Sequence, residues 1–300
     1  MTIPKIIHQI WIGDQSKKPS KIMDMWKEMH PDFEYICWNE KLIEEKLTIN
    51  KRYKFKLDNH EAIWGKADMY RWLILRNYGG IFIDADIVPI EKIDDELLKK
   101  SFVCYEQETH RQGLLATSIQ AYVPKHPIPC TAIDWIMDNN VNEKKTRTES
   151  WILVGPGLLT RTYETLKKNG INNCIDIKPS HLFLPDHHTG YKYSGHSKIY
   201  GTHEWGSTKS SYDKISKMNI PEHFIKPSKR NYIDIDLTNI KPKELNNCLE
   251  SIKEIKGRFN INIHYDKDDE YRKIIRDWAF NTRWITIIST IKGEVSGTEI

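Results

Sequence analysis

Apolar residues along the first ninety positions switch between two periods. Ile6 to Ile12 is a β-branched run that ends at Gly13, the pattern of a buried strand entering a loop. Ile22, Met25, Trp26 and Met29 then recur at helical spacing, with Ser20 placed to cap the helix and Pro31 to close it. A strand is predicted at Tyr35 to Trp38 and a helix at Asn39 to Leu47. This β-α-β-α rhythm is that of a parallel sheet with crossover helices, so the fold class is α/β. From Glu61 to Asn77, residues Ile63, Ala67, Tyr70 and Ile74 share one helical face, and Gly79-Gly80 ends the helix. Ile81, Phe82 and Ile83 follow without a break, the mark of a strand covered on both faces, until Asp84 interrupts. In open α/β sheets ligands bind beyond the carboxyl ends of strands, which is where this aspartate falls.

Downstream, strands are predicted near Phe102 to Tyr105 and Leu114 to Thr117, and helices at Pro129 to Asp138 and Leu158 to Lys168, with Gly155-Pro156-Gly157 punctuating the loop between those helices. Pro179 to Ser211 is rich in His, Gly, Ser and Tyr with little periodicity. It reads as a long ordered loop that closes over a site. After about Tyr212 the β-α rhythm resumes through NYIDIDL, PKELNNCLESIKEI, FNINIHY, DDEYRKIIRDWA and WITIIS, so residues 1–211 are read as the main domain and 212–300 as a small α/β appendage.

The 300 residues carry 45 Lys and Arg against 41 Asp and Glu, a net charge of +4 with no long basic run, which argues against dedicated nucleic-acid binding. Cys37, Cys104, Cys130, Cys174 and Cys248 lie far apart without a C-x-x-C pair, arguing against a zinc knuckle or disulfide framework and for a reducing compartment. His8 and Gln9 break the first apolar stretch, and no segment reaches the ~20 apolar residues that cross a bilayer. A soluble, cytoplasmic protein is expected, with peripheral membrane contact left open.

Asp84-Ala85-Asp86 is the pattern that carries chemistry. Two carboxylates one residue apart at a strand end can turn toward one hard divalent cation, Mn²⁺ or Mg²⁺, and the phosphates bound to it. Asp68 and Arg71, three apart on the preceding helix, share a face and are placed to hydrogen-bond sugar hydroxyls; on an open surface the same pair would be an ion pair of little worth. Other candidates take blander readings. His8 is a structural histidine. His187 and His188 are solvated loop residues, since neighbours on an extended chain point apart. Asp234 and Asp236 alternate with Ile233, Ile235 and Leu237 as the outer face of a strand, and Asp266 to Glu270 is a charged helix start.

The segment ADMYRWLILRNYGGIFIDADIVPI resembles the signature block of the glycosyltransferases with a DXD sugar-binding region, the family of the fungal initiating α-1,6-mannosyltransferases, whose core is similar to that of the clostridial glucosylating toxins. Asp68, Arg71, Gly79, Gly80, Asp84 and Asp86 recur there in order and spacing. IPKIIHQIWIG resembles the family's opening strand, ILVGPGLLT its Gly-Pro loop and GTHEWGS its C-terminal block, so the resemblance runs from Ile3 to about Ser211. It implies a single Rossmann-like GT-A domain and a retaining, metal-dependent transfer of a hexose or N-acetylhexosamine from a nucleoside diphosphate sugar, UDP- preferred over GDP-. The acceptor would be a hydroxyl of a glycan, protein or lipid, and the linkage α. The same resemblance implies that Trp11 stacks on the base, with Ile10, Phe82, Ala85, Trp205 and Ser207 completing the donor pocket. Asp86 would hold the metal, with Asp84 beside it bridging to the ribose or sugar and His203 on the metal or the diphosphate; Glu204 and Thr208 depart from the commonest family residues, which leaves the exact C-terminal metal ligand open among His203, Glu204 and Ser207. Two rival readings stand beside it. One is a haloacid-dehalogenase-type phosphatase with Asp84 as nucleophile and Asp86 as acid/base; the other is a catalytically dead sugar-nucleotide-binding module.

Overall fold

The computed structural model describes residues 2–146, 148–171 and 174–218, residue 244, and three further strands between residues 232 and 290. The chain begins with β1 (Ile6–Ile10), α1 (Ser20–Met29), β2 (Glu34–Trp38), α2 (Glu40–Lys46) and α3 (Lys51–Asp58). Then come α4 (Ile63–Tyr78), β3 (Gly80–Ile83), β4 (Ile87–Pro89), β5 (Phe102–Gln107) and β6 (Arg111–Tyr122). The described part of the larger unit is completed by α5 (Pro127–Asp138), α6 (Glu143–Thr146), α7 (Ser150–Leu153), α8 (Pro156–Lys168), β7 (Asp176–Lys178), β8 (Gly201–His203) and α9 (Tyr212–Ile215).

Local chemistry sets these boundaries. Asn39 caps α2 by accepting the Leu42 N–H, the usual economy for an orphan helix donor. Ser20, by contrast, is the first helical residue of α1 and not its cap, a place taken by Pro19. Gly79, at φ 63°, turns the chain out of α4 so that β3 starts at once. The short α3 escaped the sequence reading because only Tyr53 and Leu57 of its eight residues are buried. β6 is twelve residues long where four were expected, because it forms a hairpin with β5.

Six strands form one sheet in the order β2-β1-β3-β6-β5-β7, in which β6 runs against the other five. β3 sits inside it, with Ile81 paired to Ile7 on one side and to Ala121 on the other. Successive side chains of a strand point to opposite faces, and here both faces are covered. Ile81 and Ile83 pack with Ile7, Trp26 and Phe102, while Phe82 joins Trp38, Trp72 and Tyr122 beneath α4 and α5. The α/β class is therefore the one read from the sequence. His8 is wholly buried as a neutral brace: burial pushes its imidazole down to about 4, Nε2 lies 2.9 Å from the Gly79 carbonyl, and Nδ1 accepts the Trp38 indole N–H.

Backbone packing divides the chain into Met1–Tyr193 with Lys198–Ile225, and Ser194–Ser197 with Lys226–Ile300. Of the second unit, the structure describes β9 (Tyr232–Asp236), β10 (Asn260–His264) and β11 (Ile288–Thr290), which form a parallel sheet in the order β11-β10-β9. Asp234 and Asp236 lie on β9, the strand expected there; the helices expected in this unit, including the charged start at Asp266 to Glu270, fall outside the described residues. Among the described residues no helix is long and apolar enough to cross a membrane, and the four described cysteines are free.

Candidate active site

The fully buried β3 delivers Asp84 at its carboxyl end, where the Asp84 N–H donates to the Ser118 carbonyl of β6 (2.8 Å) and fixes the turn. The chain then folds back into β4, which pairs antiparallel with β8 so that Ile87 faces His203. This pairing joins two blocks far apart in sequence and sets His203 beside Asp86. Its Nε2 lies 3.2 Å from Asp86 Oδ1 and 4.0 Å from Asp84 Oδ2. One donor atom from each of Asp84, Asp86 and His203 falls within 4.8 Å of the others. Two carboxylates and an imidazole are a fitting donor set for a divalent cation. Of the candidates His203, Glu204 and Ser207, it is His203 whose side chain meets the acidic pair.

Asp86 is 2 % exposed. Burial raises its carboxyl, but His203 beside it and the Gly206 N–H outweigh burial and hold it below the ordinary carboxylate range. For His203 burial opposes the charge, and Asp86, then Asp84 and Glu106, reverse the effect and raise it. Gly206 donates its N–H to Asp86 Oδ2 (2.6 Å) and Glu204 donates to the Asp86 carbonyl (3.0 Å), so Asp86 grips the chain on both sides of Trp205. Trp205 has φ 60°, a left-handed conformation that costs a bulky residue ~1–3 kcal/mol. Its indole N–H donates to the Asp186 carbonyl (2.8 Å), and its ring lies 4.3 Å from that of His203. Gly206 admits no side chain, because a Cβ there would meet the Tyr212 ring at 2.7 Å and Asp86 Oδ2 at 3.0 Å. Gly206→Ala is accordingly expected to weaken divalent-cation binding by about tenfold and to cost ~1–3 kcal/mol of stability by overpacking, read by Mn²⁺ titration and thermal melting.

Arg71 ties the helix to the motif. Its side chain is 5 % exposed; Nη1 pairs with Asp68 Oδ1, Nη2 with Asp84 Oδ1 at 2.6 Å, and the guanidinium lies 4.5 Å from the Phe82 ring centre. The Asp68/Arg71 pair is thus buried and shared with Asp84, not a surface ion pair. Burial lifts the Asp68 carboxyl to about 6 against the pull of Arg71, and Asp84 adds to the rise. The Gly-Pro loop packs directly on this carboxylate, since a Cβ on Gly155 would stand 2.7 Å from Asp68 Oδ2.

Asp68, Arg71, Asp84, Asp86, His203 and Gly206 line one cavity of about 820 Å³, within the range of small-molecule sites. Ile10, Trp11, Phe82, Ala85, Trp205 and Ser207 line it as well, so the sequence-derived set comes together at one place. Trp11 meets Tyr212 edge to face at 5.0 Å. Among the described residues, three buried side-chain atoms here have no hydrogen-bond partner: Arg71 Nε, Ser118 Oγ and His203 Nδ1. Leaving such groups unmade costs about 1–3 kcal/mol each, so they mark where a polar ligand or water belongs.

Sequence reasoning passed over Tyr212, Ser118, Gly206 and Glu106. Tyr212 carries a phenol that burial, with Asp86 and Asp84 nearby, raises well above its ordinary value, so it is a neutral hydroxyl. His187 and His188 need correction. His187 is 4 % exposed, and the two rings lie 4.2 Å apart, because Gly190 N–H donates to the His187 carbonyl and the chain turns where an extended run was assumed.

Residues 16–103 match the family model described as a glycosyltransferase sugar-binding region containing a DXD motif. This span holds Asp68, Arg71, Asp84 and Asp86 but not His203. Mannosyl phosphorylinositol ceramide synthase SUR1 of Saccharomyces cerevisiae is 33% identical over 135 residues, 42% of this chain and 32% of that protein. The uncharacterized glycosyltransferase L373 of Acanthamoeba polyphaga mimivirus is 27% identical over 189 residues, 61% of this chain and 73% of that one. Among solved structures, the PaToxG glycosyltransferase superposes with a TM-score of 0.45 at 18% identity, covering 57% of this chain and 72% of that one. The chain spans about a third of the length of the fungal relatives it matches. Residues 16–103, and with them the Asp84-Ala85-Asp86 motif, are therefore similar to the DXD-containing sugar-binding region of glycosyltransferases.

Proposed function

We propose that this chain transfers a hexose, or an N-acetylhexosamine, from a nucleoside diphosphate sugar to an acceptor hydroxyl, with retention at the anomeric carbon. The observation that carries the reading is the convergence of Asp84, Asp86, His203, Asp68 and Arg71 on one cavity, with buried donors left unpaired. The catalytic domain then extends past residue 211 to include Tyr212 and α9. Asp86 and His203 would hold a Mn²⁺ or Mg²⁺ ion with Asp84 beside them. When bound, that ion neutralises charge on the departing diphosphate.

The chain's own residues do the rest. Trp11 offers its ring to the base at the cavity wall. Arg71 is fixed between Asp68 and Asp84 at the cavity wall, and Asp68 accepts from a sugar hydroxyl. Trp205 and Ser207 close over the pocket and exclude water. With the acceptor on the same face as the leaving group, the departing phosphate takes the acceptor proton, giving an α-linked product. Trp64 and Trp151 line the same cavity and are 56 % and 37 % exposed, apolar surface available to an acceptor. The fungal relatives are named for mannosyl transfer to inositol phosphoceramide, which among these candidates favours a mannose donor and a lipid acceptor.

The phosphatase alternative requires a free Asp84 nucleophile, whereas Asp84 Oδ1 is paired with Arg71. The test is a screen of UDP- and GDP-sugars with Mn²⁺ for donor hydrolysis and thermal stabilisation. Response to no donor would overturn the proposal, hydrolysis would separate it from a dead binding module, and phosphate release from a generic ester would favour the phosphatase. An inverted product with a true acceptor would refute retention.

Asp68 adds a pH dependence. With its carboxyl at about 6, it is an anion above that pH and loses its charge below it. kcat/KM for donor hydrolysis is expected to fall about tenfold per pH unit below 6, and Asp68→Asn to abolish that limb at a lowered overall rate. An unchanged acidic limb in Asp68→Asn would assign it elsewhere.

A further inference from the structure

The cavity carries a second cluster of metal-ligating side chains that the donor reading does not use. Glu106, near the end of β5, meets His187 and His188 of the loop that follows β7. Trp205 touches both clusters: its ring centre lies 4.3 Å from that of His203, and 4.7 and 4.8 Å from those of His187 and His188. Glu106 and His187 are 8 % and 4 % exposed, and His187 Nε2 stands 3.3 Å from Glu106 Oε1. The other nitrogen, Nδ1, lies 2.8 Å from the Thr189 hydroxyl, which fixes the ring and keeps Nε2 turned inward. Such an outer partner on the second nitrogen is a regular feature of metal-binding histidines.

We propose that Glu106, His187 and His188 form a binding site for a borderline divalent transition-metal ion, Zn²⁺ in the first instance. One donor atom from each lies within 4.8 Å of the others. A tetrahedral ion with bonds of ~2.0–2.2 Å sets its ligands about 3.4 Å apart, so closing the site takes about 1 Å of side-chain movement. The nearest competing charge is Arg111, whose Nε is 3.8 Å from Glu106 Oε1 on a side chain that is 39 % exposed, with its guanidinium 5.7 Å from the Trp151 ring centre. Two imidazoles and one carboxylate suit Zn²⁺, while the more oxygen-rich Asp84, Asp86 and His203 set suits Mn²⁺ or Mg²⁺. The second cluster is thus the better Zn²⁺ site of the two. Glu106 and His188 both line the cavity, which gives an entry path and leaves a coordination position open. An ion there pins the His187–His188 turn to β5. Through the Asp186 carbonyl it also steadies the indole of Trp205.

The test uses the full chain stripped with a chelator. Zn²⁺ is titrated against a chromophoric competitor, and Co²⁺ is followed by its visible absorption. Expected is one equivalent of Zn²⁺ bound, with Co²⁺ bands of a four- or five-coordinate nitrogen and oxygen site. His188→Ala and Glu106→Gln should each weaken Zn²⁺ binding by about tenfold or more, while Asp86→Asn leaves it unchanged. Glu106→Gln preserves size and hydrogen bonding and stands in if His188→Ala fails to melt cooperatively. Absence of saturable Zn²⁺ binding would reduce the cluster to a buried Glu106–His187 hydrogen bond and overturn the proposal. So would Zn²⁺ binding lost in Asp86→Asn but kept in the other two variants, which would assign the ion to the DXD pair. Neither readout depends on donor turnover, so the proposal and the transferase reading fail separately.

Discussion

Exchanging Asp86 for asparagine is expected to lower metal-dependent donor hydrolysis by about three orders of magnitude while the fold persists. The substitution is nearly isosteric. The amide oxygen can still accept the Gly206 N–H that Asp86 Oδ2 holds at 2.6 Å, and the grip on both sides of Trp205 is kept. What disappears is the charge. The carboxylate is held ionised, against burial, by His203 and Gly206, and a preorganised group that stabilises developing charge accounts for about 10²–10³ in rate. Loss of a ligand to the proposed cation adds to that. In the metal-free protein the same pair has a stability signature. A depressed carboxylate contributes above its unfolded pKa and loses that contribution as pH falls through the folded one; the raised imidazole of His203 contributes below its unfolded pKa and loses it as pH rises through its folded value. The melting difference between wild type and Asp86→Asn should therefore peak between the two. Turnover in Asp86→Asn with the wild-type dependence on Mn²⁺ would remove Asp86 from the metal site.

Much of this site could be read from sequence because its central strand is buried on both faces. Ile81, Phe82 and Ile83 have no polar alternation to blur, and Gly79 marks the end of α4 with a residue able to adopt positive φ. The DXD position followed from topology alone. His203 was reached only through the resemblance of its block, because no local pattern reports that β4 and β8 pair across the intervening chain. Tyr212 was assigned to the appendage since α9 has four residues and one buried apolar side chain, too few for a period to show. Gly206 has meaning only beside Tyr212 and Asp86. The Glu106, His187 and His188 cluster was hidden by a turn: side chains that point apart on an extended chain are brought together where Gly190 closes it.

Removing the guanidinium of Arg71 should be the most damaging single change to stability in the site. Arg71→Met keeps the side-chain volume but leaves Asp68 and Asp84 without their shared partner, and Asp68 is deeply buried. Breaking a buried pair from one side costs about 3–5 kcal/mol, and in a domain of this size each kcal/mol moves the melting temperature by ~2–4 °C. A fall of about 10 °C at neutral pH is expected. The sign with pH follows from the orphaned carboxylates. Asp68, already raised by burial, rises further without Arg71, so its penalty is full above the folded value and fades as pH falls toward the unfolded range. The gap to wild type should narrow from pH 8 to pH 5. Asp68→Asn in the Arg71→Met background should recover part of the loss, because one of the two stranded charges is gone. Arg71→Lys is not a mild alternative: a point charge cannot reach Asp68 and Asp84 together, and it forfeits the planar contact with Phe82 at 4.5 Å. A melting gap that stays constant with pH would mean that packing on Phe82, and not charge, is what Arg71 contributes.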